Sequence, residues 1–163
     1  MRVAIKKAHE IYAKYGNNLK LICRELGLEI IQEDLVGRLK EVYFGDSIVI
    51  KKSLPKAEKQ ELIAHALGHY LMHAGNHLSQ QKKIYSFGNY HERQANSFAA
   101  YLLIPEDQLE SKLYEGISAH EIADQFEATE KLINYRLKLR AHFELSQKEY
   151  KRSQNVVSSR NNY

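Results

Sequence analysis

Cysteine and proline are scarce in this 163-residue chain, which has one Cys (Cys23), two Pro and eight Gly. A single thiol excludes an intrachain disulfide framework and fits a reducing compartment. So little Pro and Gly, with no long biased tract, excludes a collagenous or wholly disordered chain. Five Phe, eleven Tyr and 44% hydrophobic residues instead supply enough apolar surface to offset the entropy of ordering. Long hydrophobic runs are also missing. The best uncharged apolar stretch, Phe98 to Pro105, falls far below the roughly 20 residues that span a bilayer. The first ten residues carry charge where a secretory signal needs an apolar core. A cytoplasmic protein with no membrane contact is expected, of a length that suits one domain with a small appendage.

Charge of one sign is equally sparse outside the C-terminus. The net charge is +4, and residues 146–163 hold Lys148, Lys151, Arg152 and Arg160 against Glu149, so +3 of it lies there and only +1 elsewhere. The basic balance therefore describes a polar, aperiodic tail, expected to be frayed or disordered, rather than a nucleic-acid groove.

Apolar residues at helical spacing predict helices over 2–16 and 19–26, each closed by a glycine, Gly16 and Gly27. The period then changes. Residues 28–33, 39–44 and 47–51 are short, rich in β-branched and aromatic residues, and separated by Gly37-Arg38 and Gly45-Asp46, which predicts a three-stranded antiparallel meander. After Pro55 the pattern is helical over about 56–74, 90–103, 106–114, 118–126 and 129–144. This order implies an α+β fold with a helical C-terminal part.

The informative segment is Leu62-Ile63-Ala64-His65-Ala66-Leu67-Gly68-His69-Tyr70-Leu71-Met72-His73. Residues four apart on a helix differ by about 40° in azimuth, so His65 and His69 can aim their imidazoles at one point. Zinc binds imidazole nitrogen and, in catalytic sites, takes a third protein ligand and leaves one position open. Gly68 in mid-helix costs about 1 kcal/mol against Ala, which suggests that another backbone passes close. The segment from His91 to Pro105 predicts that partner. Glu92, Ala95 and Ala99 share a helix face, and small side chains beside the carboxylate allow close packing. Glu92, 23 residues after His69, is thus a candidate third ligand. His73 stands about 12 Å along the axis from His65, too far to join both others, and suits a supporting or helix-end position. His77 follows the helix stop Gly75-Asn76 and is expected to face solvent. Tyr90 and His91 flank Glu92 and are candidates for stabilising an oxyanion.

The His-x-x-Gly-His-x-x-x-His string, the Glu-x-x-Ala-Asn-x-Phe-Ala-x-x-Leu-Leu-x-Pro string and the helix, helix, small-sheet prologue resemble the ImmA/IrrE family of metallo-endopeptidases over about residues 1–140. That resemblance implies that His65, His69 and Glu92 are zinc ligands in a thermolysin-like arrangement. It also implies a protein substrate, a helix-turn-helix repressor of a phage or mobile element, whose cleavage releases transcription. The implied division is a peptidase domain over 1–145, made of helices and sheet over 1–55, zinc-site helices over 56–105 and a helical C-terminal subdomain over 106–145.

The decisive departure is at Ala66. The family reads His-Glu-x-x-His, and that glutamate takes the proton from the attacking water and passes it to the leaving amine, work worth roughly 10²–10⁴-fold. A methyl group cannot do this, although zinc would still bind because its ligands are untouched. Either the alanine is a deliberate inactivation of a peptidase, or the protein is a natural non-catalytic zinc protein that binds and sequesters a repressor. A third reading comes from Ser118 to Leu137, whose capping box and apolar skeleton resemble a helix-turn-helix with a recognition helix from Thr129. Glu127 and Glu130 would face phosphates there, so direct nucleic-acid binding is not expected. Ser47 to Lys51 reads either as an exposed edge able to pair with an extended peptide or as an ordinary internal strand.

Overall fold

The computed structural model describes residues 2–72 and 90–160. In chain order it contains α1 (Arg2–Tyr15), α2 (Leu19–Glu25), β1 (Glu29–Glu33), β2 (Glu41–Phe44), β3 (Ser47–Lys51), α3 (Lys56–Met72), α4 (Tyr90–Leu103), α5 (Glu106–Tyr114), α6 (Ala119–Gln125) and α7 (Glu130–Arg160). The fold is α+β as the periodicities imply.

The sheet corrects the expected meander. Its strand order is β1-β3-β2, and it is mixed. β2 and β3 form an antiparallel hairpin through Gly45, whose φ of +58° suits a residue without Cβ. β1 instead pairs with β3 in parallel, Glu29 opposite Ser47 through Glu33 opposite Lys51. Burial explains the order. β3 carries Ile48 and Ile50, 2% and 0% exposed, whereas no residue of β1 is fully buried. The most apolar strand therefore takes the centre, where both its edges are bonded. Of the two readings of Ser47–Lys51, the internal strand is the one found, and among the described residues the outer strands of the sheet are β1 and β2.

The helices form the larger part of the core. α3 packs on β3 and, most extensively, on α4, whose other side meets α1. From Ala95 to Leu103 the only residue of α4 that is not fully buried is Asn96, as expected for a helix enclosed on several sides. At the α4–α5 corner, Arg136 of α7 is fully buried. Its guanidinium stacks on the Tyr101 ring at 3.6 Å, donates from Nε to the Ile104 carbonyl at 3.1 Å, and pairs with Glu106. A planar cation with fixed donors suits this combined stacking and pairing.

The stretch from Ser146, expected to fray, is helical backbone to Arg160 as the continuation of α7. No Pro or Gly interrupts residues 130–160, and Lys, Arg, Glu and Gln favour the helix.

Gly68 is where α3 and α4 touch. A Cβ there would lie 2.9 Å from the Ala95 Cα, 3.1 Å from its carbonyl oxygen and 3.2 Å from the Phe98 ring. The expected result of Gly68→Ala is a net loss of about 1–2 kcal/mol in chemical denaturation, since backbone overlap outweighs the helix propensity gained. Unchanged or higher stability would contradict this packing.

Candidate metal centre

His65 and His69 occupy successive turns of α3, and Glu92 lies in the first turn of α4, where the helix dipole favours an anion. The close approach at Gly68 brings these elements together. The His65 and His69 Nε2 atoms are 3.1 Å apart. Glu92 Oε2 is 3.4 Å from His65 Nε2, and its Oε1 is 3.1 Å from His69 Nε2. One ligand atom from each residue lies within 4.8 Å of the others, the only such cluster among the described residues. A tetrahedral ion with bonds of about 2.0–2.1 Å needs ligand atoms about 3.3–3.4 Å apart. The two imidazole nitrogens, 3.1 Å apart, are close to that spacing, and each has one Glu92 oxygen at 3.1 or 3.4 Å, Oε1 beside His69 and Oε2 beside His65. The donor set, two imidazoles and a carboxylate, also suits a borderline cation.

Electrostatics follows from this crowding. Burial pushes the Glu92 carboxyl upward, but hydrogen bonds from His65 and His69 and their charges outweigh it and hold the pKa at about 2. Burial opposes a charged His65 as well. Its hydrogen bond with Glu92, the nearby Glu41 and Glu92 charges and a hydrogen bond with the Asn96 side chain overcome that, and the pKa is raised.

The other residues singled out in the sequence fall differently. Ala66 is 1% exposed, its methyl part of the core. Tyr90 is 54% exposed, its hydroxyl accepts a hydrogen bond from Gln94 Nε2 at 3.1 Å, and its ring lies beside His91. Neither Tyr90 nor His91 belongs to the converging cluster. His73 and His77 lie outside the described residues.

Sequence reasoning missed Glu41. It is 8% exposed on β2, accepts a hydrogen bond from the Tyr43 hydroxyl at 3.2 Å, and interacts electrostatically with His65 and Glu92. The available signal was weak, a carboxylate at an inward position of a strand, and the pairing that turns it inward is visible only in three dimensions. It also missed Asn96 as a partner of His65, although Asn96 stands in the Glu-x-x-Ala-Asn string.

Comparison with known proteins places most of the chain in one family. Residues 23–138 match the peptidase family described as the IrrE N-terminal-like domain. The chain is also similar to the phage-like element PBSX protein XkdA of Bacillus subtilis (strain 168), at 29% identity over 140 residues. That alignment covers 83% of this chain and 66% of the relative, so the chain spans just under two thirds of the relative's length.

The ionisation pattern generates a test on metal-stripped protein. The depressed Glu92 pKa contributes stability that is present above its ordinary 4.5 and is lost as pH falls toward about 2. The raised His65 pKa contributes stability that is full below 6.5 and is lost as pH rises through the shifted value. Thermal unfolding across pH should show both limbs shallower in Glu92→Gln than in the parent. Superimposable profiles would sink this assignment.

Proposed function

The chain belongs to the IrrE N-terminal-like domain family of peptidases, and from that premise we propose that it is a zinc protein of metallo-endopeptidase type acting on a helix-turn-helix repressor. We assign that activity to residues 1–145, with hydrolysis suppressed by Ala66. The observation that carries the reading is the convergence of His65 Nε2, His69 Nε2 and the Glu92 carboxylate. The phage-like element named for the relative supports a mobile-element setting for the repressor.

His65, His69 and Glu92 would hold the ion, which when bound acidifies water and polarises a carbonyl. The remaining steps belong to the chain's side chains. Glu92 balances part of the ion's charge, and in the metal-free chain its contacts with both Nε2 atoms keep the two imidazoles turned toward one point. Asn96 restrains the His65 ring from the same helix as Glu92. Ala66 offers no lone pair to accept a proton, so the transfer from water to leaving amine lacks its carrier.

A second reading, capture of a repressor without cleavage, is favoured by the Ala66 methyl lying in the core. Direct DNA recognition is disfavoured by the start of α7. The Thr129 hydroxyl accepts from Leu132 N at 3.1 Å and donates to Glu61 of α3 at 2.5 Å. Glu127, at φ +49°, accepts from Lys56 at 2.6 Å and Gln60 at 3.3 Å. The turn that a recognition helix would present to a groove is thus docked on α3 and lined by carboxylates.

Zinc content by elemental analysis should approach one ion per chain, and His65→Ala, His69→Ala and Glu92→Ala should each lose it. Ala66→Glu, loaded with zinc and mixed with its cognate helix-turn-helix repressor, should raise cleavage by about 10²–10⁴-fold. A zinc-loaded, folded Ala66→Glu protein that binds the repressor without cutting it would establish the capture reading. Absence of zinc from the parent chain would overturn both.

A further inference from the structure

Glu41 lies where a core residue belongs. β2 pairs antiparallel to β3 with Glu41 opposite Ile50 and Tyr43 opposite Ile48. Directly opposed residues point to the same side of a sheet, so Glu41 and Tyr43 share the face of Ile48 and Ile50, 2% and 0% exposed. A carboxylate is rarely buried without a partner, because losing its hydration costs several kcal/mol unless charge or hydrogen bonds compensate. Glu41 is 8% exposed and accepts a hydrogen bond from the neutral Tyr43 hydroxyl at 3.2 Å.

Its charged surroundings are His65, which attracts it, and Glu92 and Glu61, which repel it. Glu61 already receives the Thr129 hydroxyl, and Glu92 is shared between His65 and His69. The Glu41 carboxylate of β2 therefore lies within electrostatic reach of two further carboxylates, on α3 and α4, and of the His65 imidazole. With one neutral hydroxyl donor and like-charged neighbours, this buried carboxylate is short of positive charge. A divalent ion held by His65, His69 and Glu92 would supply that charge. Ligating imidazoles in metal sites are characteristically backed by outer carboxylates that orient them and strengthen their donation.

We propose that Glu41, held from β2 by the Tyr43 hydroxyl, is a positioning residue of the metal centre that braces His65 and balances the charge of a divalent ion. This rests on the metal-centre reading above. The sheet then serves the site as well as the core: it supplies the third wall around His65, with Glu92 and Asn96 on α4 supplying another.

The test is zinc affinity by chelator competition, with the visible absorption of the cobalt(II)-loaded protein as a second readout. Glu41→Gln keeps the volume and removes the charge, and should lower zinc affinity by about 10–100-fold and alter the cobalt spectrum. The metal-free melting temperature should not fall, because a buried charge is removed. A residue needed only for packing would lower that temperature, and an affinity loss accompanied by that destabilisation overturns the proposal. Zinc affinity equal to the parent's also overturns it. Tyr43→Phe should shift affinity in the same direction by a smaller factor. If Glu41→Gln does not fold, unchanged affinity in Tyr43→Phe overturns the proposal by itself. A parent chain that takes up no zinc would sink the metal-centre reading instead, so the two failures are distinguishable.

Discussion

The approach of α4 to α3 at Gly68 is the constraint on which the site depends. Two histidines on successive turns of α3 share a face from helix geometry alone, but a carboxylate from another helix can reach them only if the two backbones nearly touch. The missing Cβ of Gly68, facing the Ala95 Cα and carbonyl, makes that contact possible. The Phe98 ring, also close to Gly68, packs at the same contact. Glu92 is then carried to within 3.1–3.4 Å of both imidazoles. The helix residue that looks worst by propensity is therefore the one that builds the cluster.

Around that cluster, charge is confined rather than dispersed. Glu92 stays ionised because two imidazoles outweigh its burial, and His65 is favoured as a cation because carboxylates outweigh its own. A divalent ion held there would replace contacts already formed among His65, His69 and Glu92. Ala66 stands apart from this arrangement: it lies on the same helix, buried in the core, and is no member of the His65, His69 and Glu92 cluster.

The C-terminal helices are fastened to the same framework from two sides. Ser118 and Glu121 form the reciprocal capping box expected at the start of α6. Beyond it, Thr129 and Glu127 tie the turn before α7 to Glu61, Lys56 and Gln60 of α3. Arg136 fastens the middle of α7 to Tyr101, Ile104 and Glu106. A segment with the apolar skeleton of a helix-turn-helix thus has its leading turn directed at the site helix.

Much of this is local and so was legible in the chain itself. Helix positions followed from spacing, the α6 start from its cap, the pairing of His65 with His69 from the helical repeat, and the nearness of a second helix from a glycine that propensity would exclude. These depend on neighbours within a few residues. What the tertiary structure decided depends on residues far apart in sequence. Ile48 and Ile50 put β3 in the centre and made the sheet mixed, because an apolar strand gains most where both its faces and edges are covered. That same pairing turned Glu41 inward toward His65, and no spacing rule on β2 marks it. Ion placement and charge balance are sums over several elements, and such sums exist only once the chain has folded.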